Sequence, residues 1–115
     1  MPLKDIVELL SGETQLFVPQ GGDLAFNVEW LEQGEHIDLT SGSGRIVGQN
    51  NETILELDDT YVDISSGLAV VRVPAEVTEP LEDWGQGYWT FIGTSITNDT
   101  RILAEGVATL RRSAL

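Results

Sequence analysis

The chain has no cysteine and one histidine, and its six lysines and arginines face nineteen aspartates and glutamates, for a formal net charge of −13 over 115 residues. Without cysteine there is no disulfide framework, no thiolate nucleophile and no cysteine-based zinc site. A surface this acidic repels phosphate backbones, because nucleic-acid binding draws on Lys and Arg to displace counterions. Anionic lipid headgroups repel it for the same reason. Neither nucleic acid nor a membrane is therefore an expected partner. No stretch approaches the ~20 consecutive apolar residues that a spanning helix needs. The opening Met1-Pro2-Leu3-Lys4-Asp5 lacks the apolar core of a secretory leader, so the product is expected to stay where it is made.

What is present is an ordinary folded composition, with 41% hydrophobic and 22% charged residues. The length fits one domain, 1–115, able to bury a single core without a structural metal. Turn signals recur at roughly 8–12-residue spacing, the pattern of an all-β sandwich. Leu24–Leu31 carries the clearest alternation, with Leu24, Phe26, Val28 and Trp30 on one face and Asn27 and Glu29 on the other. Further strands are expected at Thr14–Val18, Arg45–Gln49 (with Ile46 inward), Thr53–Leu57, Tyr61–Ile64, Leu68–Val73, Tyr88–Ile96 and Arg101–Arg111, and Glu32-Gln33-Gly34-Glu35 makes a hairpin-like turn before Ile37–Thr40. Ser41-Gly42-Ser43-Gly44 reads as a small, flexible connection, and Pro74–Leu81 as one helical turn stopped by Pro80. Asp5–Leu10 fits either a short helix face or an edge strand. The connections are too short for helical crossovers, so antiparallel pairing is expected. The sum is a single antiparallel sandwich of seven or eight strands, preceded by an arm (1–13) and followed by a tail (112–115).

Five segments, in order, resemble the small immunoglobulin-like domains of tailed-phage baseplate, tail and decoration proteins. They are Gly22–Val28, Glu35–Thr40, Gly67–Pro74 with the turn Ala75–Leu81, Gly87–Phe91 and Leu103–Val107. The family register implies that Trp89 and Phe91, with Ala69, Val71 and Val73, point inward. Such domains are structural and adhesive. The resemblance thus implies a non-enzymatic virion component that is assembled in the host cytoplasm. Its expected place is the tail, baseplate or fibre, in a homo-oligomer or symmetric multicopy array with other virion proteins as partners. A capsid decoration (cement) protein uses the same fold and is the alternative. A calcium- or carbohydrate-binding adhesion module is a further one.

Nothing in the residues demands catalysis or a cofactor. His36 lies in a polar turn region with no second ligand or nucleophile in reach of the sequence pattern. No G-x-S-x-G is present. Gly21-Gly22 and Gly42/Gly44 lead into no helix and precede no lysine, so they are not phosphate loops. Asp58, Asp59, Asp63 and Asp99 are candidate calcium ligands, since calcium collects oxygens from loops, but no D-x-D-x-D-G pattern unites them. Glu82 and Asp83 add to the same acidic turns.

The informative surplus is apolar. With Trp89 and Phe91 inward, Tyr88 and Ile92 face outward, as do Leu68 and Val70 on their own strand. A solvated outer face is usually polar, so these four either mark a candidate contact surface or lie under a loop or the N-terminal segment. Ile6, Val7, Leu9 and Leu10 in the arm have the same character, and either cap the chain's own core or reach into a neighbouring subunit. Arg111 and Arg112 place basic charge at the end of an acidic chain, suited to head-to-tail docking or to an acidic partner.

Overall fold

The computed structural model describes residues 15–81 and 86–111. In chain order the elements are β1 (Leu16–Pro19), β2 (Leu24–Val28), β3 (Trp30–Glu32), β4 (Glu35–Ile37), β5 (Leu39–Val47), β6 (Thr53–Leu57), β7 (Val62–Ser65), β8 (Leu68–Val73), the helical turn α1 (Ala75–Thr78), β9 (Gln86–Ser95) and β10 (Thr100–Arg111). One sheet has the order β1-β10-β9-β5-β6 and the other β2-β8-β7, with β3 and β4 forming a separate hairpin. In immunoglobulin notation β10, β9, β5 and β6 are G, F, C and C′, and β2, β8 and β7 are B, E and D. The fold is an immunoglobulin-like β-sandwich.

The described residues hold ten strands rather than seven or eight. One added element comes from Leu24–Leu31, which is interrupted at Glu29: β2 pairs with β8, whereas Trp30 onward pairs with β4. Leu24, Phe26, Val28 and Trp30 are nonetheless all buried, so the alternation continues straight through the break. A second departure is that β1 runs parallel to β10, Leu16 opposite Ala108 through Pro19 opposite Arg111. Short connections forbid parallel pairing only between strands that follow one another, and nearly the whole domain separates these two.

Ser41–Gly44 is not a flexible connection but the middle of β5, hydrogen-bonded to β9. The glycines are there to admit a ring. A Cβ on Gly42 would lie 2.8 Å from the Phe91 ring, and one on Gly44 would lie 3.0 Å from it and 2.8 Å from the Thr90 carbonyl oxygen. Two tight hairpins, Gln33-Gly34 and Ser66-Gly67, use positive φ at both loop residues, the geometry that matches strand twist.

The core lies between the sheets. Phe26, Val28 and Val71 come from the three-stranded side, and Ile46, Trp89 and Phe91 from the five-stranded side; all are buried. Trp30, also buried, caps one end, with the Arg101 guanidinium 5.4 Å from its ring centroid. Phe26 meets Trp89 edge-to-face, centroids 5.7 Å apart at 81°. These rings join strands B and F, the pair that antibody domains link by a disulfide. The cysteine-free chain thus ties its sheets together with aromatic packing.

At one end α1 is fastened by side chains. The Asp23 carboxylate accepts a hydrogen bond from Ala75 N at 2.8 Å. The fully buried Thr78 hydroxyl donates to Gly22 O at 2.7 Å and accepts from Gly21 N at 3.1 Å. Thr78→Val keeps the volume but strands both backbone groups. It is expected to lower stability by about 1–3 kcal/mol in a denaturant titration, with Thr78→Ser losing less.

Candidate docking face

On β9 the side chains alternate strictly. Trp89 and Phe91 point to the core, and Tyr88, Thr90 and Ile92 point away from it. The register of the neighbouring strands extends these outward positions into three rows across the sheet. One row runs Ile102, Ile92, Ser43; the next Glu105, Thr90, Arg45, Glu56; the third Val107, Tyr88, Val47. Arg45 Nε lies 3.7 Å from Glu56 Oε2, both side chains exposed, so this pair adds little to stability. Beyond β10, Phe17 on β1 is level with Thr109.

This outer face is unusually apolar. Five large hydrophobic side chains are notably exposed among the described residues: Phe17 (41%), Tyr88 (54%), Ile92 (40%), Ile96 (64%) and Ile102 (56%). Four of the five lie on this sheet's outer side, and Ile96 follows β9 in the turn.

Of the sequence-derived contact residues, the structure brings Tyr88 and Ile92 together. Leu68 and Val70 lie elsewhere. They sit half-buried on β8, Val70 between Asn27 and Asp63, and so face away on the opposite side of the sandwich. The four do not form one surface, because the strands carrying them belong to different sheets. Ile6, Val7, Leu9, Leu10 and Arg112 fall outside the described residues, as do Glu82 and Asp83; Arg111 ends β10 opposite Pro19.

Ile102, Val47, Val107 and Phe17 join the face without having been singled out by sequence. Ile102 is the instructive case. Strict alternation puts it on the same side as Ala104, which is buried. A bulge between Ile102 and Ala104 resets the phase, so Leu103 and Ala104 both turn inward while Ile102 and Glu105 both turn out.

The acidic residues serve turns. Asp58 Oδ1 accepts from Thr60 N at 3.0 Å, and Asp99 Oδ2 from Thr97 Oγ1 at 3.2 Å. Asp59 and Asp63 line a shallow depression that also holds Arg72, whose charge opposes cation binding. Asp99 belongs to the β9–β10 turn, away from β7, so the four candidate calcium ligands do not converge. Among the described residues no group of three or more His, Asp or Glu is arranged to hold a metal ion. His36 is held at both ring nitrogens, Nδ1 by Glu29 at 3.0 Å and Nε2 by Asp38 at 2.8 Å. It ties the β3–β4 hairpin to the chain on either side of it.

No family model matches the chain, and none of the curated proteins does. Among solved structures, it is similar to part of a 2,6-sialyltransferase of Photobacterium sp. JT-ISH-224, at 15% identity and a TM-score of 0.40. That match covers 87% of this chain but only 18% of the sialyltransferase. It is also similar to the extracellular domain of the voltage-gated sodium channel β4 subunit, at 9% identity and a TM-score of 0.43, over 88% of this chain and 85% of that domain. Likenesses this distant carry nothing about activity or partners.

Proposed function

We propose that the chain is a non-enzymatic structural component of a tailed-phage virion, a tail-, baseplate- or fibre-associated module that docks through the outer face of its five-stranded sheet. The setting comes from the resemblance of its five ordered segments to phage immunoglobulin-like domains. The docking role comes from one observation: exposed Phe17, Tyr88, Ile92 and Ile102 share a single sheet face on a chain otherwise dominated by acid. In a symmetric particle, repeated copies make weak contacts act together through high effective concentration.

Ile92→Asp tests the reading. The side chain is 40% exposed, so the variant should fold and keep its unfolding free energy to within about 0.5 kcal/mol. Purified particles assembled with it should lack the protein. Normal incorporation of Ile92→Asp sinks the proposal. The stoichiometry of the wild-type protein on particles separates a tail position from capsid cement, since cement follows the number of capsomers.

A further inference from the structure

Resting on the reading of this face as a docking face, we propose that its occupant is a second copy of the same chain, packed face to face about a two-fold axis running along β9. The charge distribution carries the choice of partner. Each copy bears a formal −13, so self-association through most of the surface is opposed. On the outward positions of β9, β5 and β6 and of β10 as far as Leu110, however, the charges are only Arg45, Glu56 and Glu105. A basic protein would be drawn to the acidic turns. This nearly neutral, apolar face is where two acidic copies meet at least electrostatic cost.

Register selects the axis. Arg45, Thr90 and Glu105 lie level with one another on β5, β9 and β10. A two-fold axis parallel to β9 lays β5 of one copy over β10 of the other. Arg45 then faces Glu105 of the second copy, twice over, while Tyr88 meets Tyr88 and Ile92 meets Ile92. An axis across the strands instead stacks Arg45 on Arg45 and Glu105 on Glu105, which like-charge repulsion disfavours. Size also fits. With β9 ten residues long, four strands ~4.8 Å apart and ~3.4 Å per residue give a footprint of about 600 Å². That is the lower end of what a specific interface buries per partner, about 600–1,000 Å². Two such sheets pack with strands nearly aligned, as within the sandwich itself.

The test is sedimentation equilibrium of the full chain at low salt, from micromolar to about 1 mM. A monomer–dimer equilibrium is expected. Arg45→Glu and Glu105→Arg should each weaken it about tenfold or more, and the R45E/E105R double variant should recover to within about threefold of wild type. Arg45 and Glu105 are both exposed, so the variants should fold, which thermal unfolding checks. Independently, Ile92→Cys in this cysteine-free chain should be captured as a covalent dimer by a short bis-maleimide. A monomer throughout the concentration range, or a double variant no better than either single one, overturns the inference. If the chain stays monomeric while Ile92→Asp is still lost from particles, the docking face stands and its occupant is another virion protein. If the dimer forms and Ile92→Asp is incorporated normally, the dimer stands and the virion reading falls.

Discussion

Trp89→Ala should lower the stability of the domain by about 3–5 kcal/mol, the range for removing a large buried aromatic. Trp89 is fully buried at the centre of β9, opposite Ile46 on one side and Gly106 on the other, and edge-on to Phe26 across the sheets. Truncation removes transfer energy, opens a cavity and breaks the aromatic link between strands B and F. No disulfide stands behind that link. Single domains are stable by only about 5–15 kcal/mol in total, so the loss is a large share. Guanidinium denaturation read by far-ultraviolet circular dichroism should show the midpoint falling sharply or the cooperative transition vanishing. A shift smaller than about 1 kcal/mol would mean that the sheets are held together elsewhere.

Gly42→Ala should cost about 1–3 kcal/mol, although alanine is the gentlest substitution and the residue sits within a strand. The reason is spatial and not conformational: the added methyl would press on Phe91 Cε1 and Cζ at 2.8 Å, and that ring is fully buried with nowhere to retreat. A compensating change should then rescue it. Phe91→Leu destabilises alone, but in combination with Gly42→Ala the total should fall short of the sum by about 1 kcal/mol or more, since the shorter side chain vacates the space. Chemical denaturation of the four proteins in the cycle measures this. Strict additivity would place the strain of Gly42→Ala outside the ring contact.

The period-two pattern is local, and what it specifies is local too. It marks which side of a strand is apolar, and so Phe26, Val28 and Trp30 can be sorted from Asn27 and Glu29 by reading alone, whereas on Tyr88–Ile92 both sides carry apolar residues and only the family resemblance puts Trp89 and Phe91 inward. Turn chemistry is equally local, which is why Gln33-Gly34 and Ser66-Gly67 stand where chain reversal is expected. Ser41–Gly44 misleads because glycine and serine are usually the residues of connections. Here the deciding fact is the bulk of Phe91 on the strand beside them.

Composition and alternation thus determined an acidic, cysteine-free, all-β sandwich, and the family resemblance added an apolar excess on its outward positions. Only the tertiary structure decided how that excess is shared out. Sheet membership separated Leu68 and Val70 from Tyr88 and Ile92, and the bulge after Ile102 turned that side chain outward to join Ile92. It also set Arg45 level with Glu105, a pairing invisible in a chain where sixty residues part them. The physical reason is that side-chain direction follows from neighbouring backbone geometry, whereas the company a side chain keeps depends on hydrogen bonds between strands far apart in sequence.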